Sequence, residues 1–119
     1  MNHTEAIREI VEVIPETQEE FDESYKTASP YMVINVFTKQ IKKLIKNNEQ
    51  KILEKCIRKM NKLYNKGDQK LKGAIENVFV YSIDSFTFCC EPAYKKMIFD
   101  KMSVSLQNNY LHQVYKSGI

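Results

Sequence analysis

The chain has 119 residues, 43% hydrophobic and 28% charged, enough for one hydrophobic core and too few to divide into two domains. That composition excludes disordered, collagenous and membrane-embedded classes, and apolar runs such as Val78-Phe79-Val80-Tyr81 are far shorter than a bilayer crossing. The net charge of +3 conceals a split, because residues 1–25 carry −7 and residues 26–119 carry +10.

Three glycines and three prolines are too few for the turns of an all-β chain, so helices are expected throughout. Ile7, Ile10, Val11 and Ile14 recur at helical spacing behind an Asn2 cap with Glu5 three residues on, predicting a first helix over 3–14 that Pro15 stops. Thr17 and Glu20 repeat the capping-box pattern, and Phe21 with Tyr25 supplies a narrow apolar stripe, predicting a short acidic helix that ends near Ala28. Ser29-Pro30 reads as an N-cap and first turn, after which Val33, Val36, Phe37, Ile41, Leu44 and Ile45 carry a third helix to Asn47-Asn48. Ile52, Leu53, Cys56, Ile57, Met60, Leu63 and Tyr64 continue the period in a fourth helix, ended by Gly67 as a left-handed cap.

Asp68 caps a fifth helix, carried to about Phe86 by Leu71, Ala74, Ile75, Val78, Phe79 and Ile83. Val80 and Tyr81 widen its apolar surface to a second face, which places it in the middle of the domain. Glu91-Pro92 opens a sixth helix through Tyr94, Met97, Ile98 and Met102. Ser103 starts a seventh with Leu106, Tyr110, Leu111, Val114 and Tyr115 before Gly118. The expected fold is all-α: a single domain over 1–119, with about seven helices in an antiparallel up-down or short helical-repeat-like bundle.

Chemistry-bearing patterns are sparse. Cys56, Cys89 and Cys90 are an odd set that reads as reduced, with Cys89 and Cys90 expected as buried apolar groups beside Phe86 and Phe88. His3 and His112 stand at no ligand spacing from the cysteines or from each other, so no metal site is expected. No glycine-rich phosphate loop or nucleophile–base pair points to an enzyme, and no cofactor is implied. Asn77 and Ser82 on the central helix are expected to satisfy neighbouring polar groups. The N-terminal Met1-Asn2-His3-Thr4-Glu5 lacks the basic, then apolar, start of a signal peptide, so a cytoplasmic product is expected.

The basic excess lies on helices three and four, in Lys39, Lys42, Lys43, Lys46, Lys51, Lys55, Arg58, Lys59, Lys62 and Lys66. With arginine only at Arg8 and Arg58, this surface reads as a solvated face, and nucleic acid is not an expected partner. The acidic residues of the first 25 positions divide between helix-terminus stabilisation and docking of a basic partner.

From Ser29 to Ile83 the chain reads SPYMVINVFTKQIKKLI, a second amphipathic helix, then KLYNKGDQKLKGAIENVFVYSI. This stretch, with its polar turn at Asn65-Lys66-Gly67-Asp68 and its third helix carrying Asn77, Val78 and Ser82, resembles a family of small all-helical bacterial domains regarded as immunity proteins of toxin systems. The resemblance implies a non-enzymatic protein that binds and neutralises a cognate toxin, such as a nuclease delivered by contact-dependent inhibition or a related route. For that partner the acidic start supplies Glu12, Glu16, Glu19, Glu20, Asp22 and Glu23 as the charged docking patch, with Phe21 and Tyr25 as aromatic anchors. The competing readings are a nucleic-acid-binding regulator using the lysine-rich face and a helical protein-interaction adaptor. The sequence leaves monomer and dimer equally open.

Overall fold

Asn2 opens the first helix with a reciprocal capping box: its side chain accepts from the Glu5 N–H at 2.9 Å, and the Glu5 carboxylate accepts from the Asn2 N–H at 3.3 Å. The computed structural model describes residues 1–117, in which this helix, α1, spans His3–Val13 and is followed by α2, Thr17–Phe21. The capping box expected from Thr17 and Glu20 does not form. Thr17 is itself the first residue of α2, and its buried hydroxyl donates back to the Ile14 carbonyl at 2.6 Å. The acidic helix also stops short of Ala28: Glu23 turns to an extended conformation, and Ser24–Thr27 forms a separate 3-10 turn.

Ser29 caps α3, Pro30–Lys46, with Pro30 in the first turn as expected. Its end is a Schellman turn, in which the Glu49 N–H donates to the Leu44 carbonyl and the Asn48 N–H to the Ile45 carbonyl while Asn48 takes φ 57°. Among the described residues the left-handed one is therefore Asn48 and not Gly67, whose φ of −69° is ordinary. A glycine ends α4, Gln50–Lys66, for a different reason: a Cβ at position 67 would stand 2.6 Å from the Leu63 carbonyl oxygen.

Asp68 caps α5 through the Leu71 N–H. The helix is continuous but not uniform, passing from Gln69–Ala74 through a π-helical stretch, Ile75–Val80, to Tyr81–Phe86. In the widened turn the Tyr81 N–H donates to the Glu76 carbonyl, five residues back. Val80 thereby joins Ile75 and Phe79 on the buried side, whereas Tyr81, expected on a second apolar face, is 76% exposed. Asn77 and Ser82 do satisfy neighbours, donating to the Gly73 carbonyl at 2.9 Å and the Val78 carbonyl at 2.6 Å.

Helices α6, Pro92–Lys101, and α7, Val104–Ser117, complete an all-α fold of seven helices with no strand among the described residues. Met102 falls outside α6 as its extended C-cap, and the stop expected at Gly118 lies outside the described residues. The core gathers Ile10 from α1, Ile34, Phe37 and Ile41 from α3, Leu53, Ile57 and Met60 from α4, and Leu71, Ile75 and Phe79 from α5, all essentially solvent-free. Helix α5 packs on α3, α4 and α7, the central position its sequence predicts.

The glycines give a paired test. Gly73→Ala, where an added Cβ meets nothing within 4 Å, should raise stability by about 0.5–1 kcal/mol because the unfolded chain then has less conformational entropy to lose. Gly67→Ala should lower it by about 1–3 kcal/mol through the clash at Leu63. Thermal unfolding of both variants checks this, and equal gains would contradict the close approach at Gly67.

Candidate functional site

Helix α1 lies across α4, and its Glu9 carboxylate reaches between two lysines, 2.8 Å from Lys59 Nζ and 2.7 Å from Lys62 Nζ. The Lys59 side chain is only 10% exposed and also approaches Glu12 at 3.4 Å. Hydrogen bonds from Lys59 and then Lys62 hold the Glu9 carboxyl below the ordinary carboxylate range, against a smaller opposing effect of burial. Burial alone would lower the Lys59 ammonium, but the bond and charge of Glu9, with help from Glu12, lift it above the usual lysine range. Two members of the expected solvated lysine face are therefore structural.

The expected acidic patch divides accordingly. Phe21 is a core residue, 5% exposed, and cannot serve as an anchor, because α2 lays it against α1 and α3. Glu20 and Glu23 lie 3.8 and 3.6 Å from Lys26 Nζ, and Glu20 also accepts from Gln40 Nε2 at 3.5 Å. Asp22 accepts from Gln18, and Tyr25, 59% exposed, carries the Lys26 ammonium 5.7 Å from its ring centroid. Glu16 and Glu19 are exposed and form no ion pair among the described residues.

Those two carboxylates border a groove of about 620 Å³ between the α1–α2 corner and the α3–α4 turn. Its floor is Val13, Ile14, Leu44 and Ile52, and its wall brings Gln40, Lys43, Asn47 and Glu49 opposite Glu16, Glu19 and Glu20. Four carboxylates and one lysine thus line an apolar floor, and among the described residues only Glu20 of the four meets a cation within 4 Å, Lys26, which lies outside the lining. Tyr25, Asp22, Glu23 and Glu12 lie outside this lining. Glu49, Leu44 and Ile52 were invisible to sequence reasoning as site residues. The Schellman turn that brings them here was signalled only by Asn47-Asn48.

Other polar clusters hold helices together. The Tyr64 hydroxyl donates to Glu76 Oε2 and Gln113 Nε2 to the Glu76 carbonyl, tying α4 and α7 to the π-helical stretch. Tyr110 and Lys95 both donate to Asp84. Burial first, and then the carboxylate each one bonds, push the Tyr64 and Tyr110 phenols up to about 12, so both remain donors at neutral pH. Of the cysteines, Cys56 is buried and its thiol pushed up to about 12 by that burial. The expectation of a buried Cys89–Cys90 pair fails, because α5 ends at Phe86 and the chain beyond it turns outward, leaving Cys89 exposed and Cys90 half-buried. All three are free, and no group of three potential metal ligands gathers among the described residues. None of the described helices is long and apolar enough to cross a membrane.

A family model described as "Domain of unknown function (DUF7674)" matches residues 7–116. No curated protein matches the chain, and no solved structure does.

The Glu9 bridge predicts a pH dependence of known sign. Because its folded pKa lies below the ordinary 4.5, its contribution to stability is present above that value and is lost as pH falls through the folded pKa. Glu9→Gln should cost about 1–3 kcal/mol at neutral pH and flatten the acid limb of stability against pH. Denaturant titrations from neutral to acid pH measure both, and an unchanged acid limb would show that Glu9 is not held down in the folded state.

Proposed function

We propose that this chain, which belongs to the DUF7674 family of domains of unknown function, is a non-enzymatic binding protein that takes a cationic protein partner into the groove between α2 and the α3–α4 turn. The observation that carries the reading is the concentration of Glu16, Glu19 and Glu49, none in an ion pair among the described residues, beside Glu20 and with Lys43 the one lysine of the lining, over apolar side chains. A lysine or arginine entering there meets carboxylates while its alkyl stem covers Leu44 and Ile52. Like-signed surfaces are steered away and basic ones drawn in.

The partner is a toxin that this protein neutralises as an immunity protein, and a toxin that cleaves nucleic acid presents the cationic surface such a groove accepts. The resemblance of residues 29–83 to immunity-type helical domains supports that assignment, together with the sparsity of catalytic groups in the sequence. Cytoplasmic action follows from the same proposal, since the toxin is met after entry.

The test uses the toxin encoded beside this chain and cells exposed to it. The unaltered protein should protect. The combined change Glu16→Lys, Glu19→Lys and Glu49→Lys should slow association at least ten-fold and remove protection, because like charges across an interface cost several kcal/mol. Lys51→Gln with Lys55→Gln, on exposed α4 positions free of ion pairs among the described residues, should leave protection intact. Protection surviving the glutamate reversal would remove the groove from the account, and a toxin untouched by the unaltered protein would remove the immunity function itself.

A further inference from the structure

The structure adds to the lysines of α3 something that their spacing lacked. Lys39, Lys42 and Lys46 recur along one side of the helix, are exposed, and form no salt bridge among the described residues. Helix α5 runs beside them in the same direction. At one end Asn77 Nδ2 donates to the Tyr31 hydroxyl at 3.1 Å, and at the other Lys42 and Lys46 share a groove of about 390 Å³ with Ser85 and Cys89. Three aromatic rings on or just past this pair of helices are open to solvent: Tyr31 of α3 at 49%, Tyr81 of α5 at 76%, and Phe88, two residues beyond the end of α5, at 85% exposed, with Tyr81 one turn from both Asn77 and Ser85. From Tyr31 to Lys46 the ridge is about 22 Å long at the rise of an α-helix.

Exposed rings on the same pair of helices as unpaired ammonium groups have two complementary demands: a flat π-surface to stack on and a repeated anion alongside it. We propose that the α3–α5 ridge binds single-stranded nucleic acid, with Lys39, Lys42 and Lys46 on phosphates and Tyr81 and Phe88 stacking on unpaired bases. A duplex fits less well because its bases are already stacked on one another. The ridge carries no arginine to read base edges, and its Asn77 amide is occupied by the Gly73 carbonyl and Tyr31, so binding is tolerant of sequence. The acidic groove opens by way of Lys43, Leu44 and Asn47 and shares none of these residues, which makes this surface independent of the toxin-binding proposal.

Fluorescence anisotropy with labelled oligothymidine and oligouridine, and with a DNA duplex, tests the ridge on the full chain. Both single strands should bind more tightly than the duplex. The logarithm of affinity should fall against that of salt with a slope of about −2, from about 0.7 for each of three phosphate contacts. Lys42→Gln with Lys46→Gln should shrink that slope by about 1.4, and Tyr81→Ala and Phe88→Ala should each weaken binding at least five-fold at an unchanged slope. Lys51→Gln with Lys55→Gln should change neither, and circular dichroism should be the same for every variant, since the altered side chains are exposed. The proposal is overturned if the aromatic variants bind like the parent, which would leave only diffuse attraction to a basic helix, or if the duplex binds as well as the strands. Phe88-dependent attachment to vesicles of anionic phospholipid, without strand binding, would overturn it in favour of a membrane surface.

Discussion

The placement of Glu9 between Lys59 and Lys62 is the contact on which the rest of the charge layout depends. It fastens an acidic helix to a basic one, so the opposition of charge along the chain is partly consumed inside the fold. A pair this sheltered contributes little over an apolar substitute, but removing one partner leaves the other charged and poorly solvated, which fixes the register of α1 on α4. Once α1 is seated, Ile10 fills the core and the corner at Pro15 sends α2 towards α3. The carboxylates beyond that corner have no such lysines to meet. Lys26 takes Glu20 and Glu23, and Glu16 and Glu19 stay uncompensated at the edge of a groove that the α3–α4 turn completes with Glu49.

The central helix imposes the second constraint. Its π-helical stretch puts Val80 into the core and turns Tyr81 to the surface. The Glu76 carbonyl, which accepts from Tyr81 in the widened turn, receives Gln113 from α7 as well. One irregularity therefore serves both packing, by binding the last helix, and the surface, by turning the Tyr81 ring into solvent. The acidic groove and the lysines Lys39, Lys42 and Lys46 occupy adjoining faces of α3, and neither Glu16 and Glu19 nor these three lysines form an ion pair among the described residues.

The helices were legible because their signals are local. Asn2 with Glu5, Ser29-Pro30 and Asp68 each mark a start by a hydrogen-bonding need at that point in the chain, and the apolar period carries each helix onward. What was not legible depends on position in three dimensions. Thr17 looks like a cap, yet the neighbouring carbonyl of Ile14 claims its hydroxyl. Phe21 and Tyr25 share a predicted stripe, but the chain leaves the α-helix between them, so one is buried and the other exposed. Lysine spacing on α4 cannot show which members α1 will cover, and no periodicity reveals a π-helical turn or brings Glu49 to Glu16. Half the candidate groove was therefore visible, the half that is contiguous in sequence.

The acidic start contains two kinds of carboxylate, one holding the fold and one left without a basic partner among the described residues. The most direct measurement is the unfolding free energy of Glu16→Gln combined with Glu19→Gln in the free protein at low and moderate salt. The change should lie within about 0.5 kcal/mol of zero, as for surface groups that touch nothing, because slight helix-end stabilisation is offset by relief of mutual repulsion. A loss of about 2 kcal/mol or more, comparable to breaking a sheltered charged hydrogen bond, would show instead that Glu16 and Glu19 hold the fold as Glu9 does.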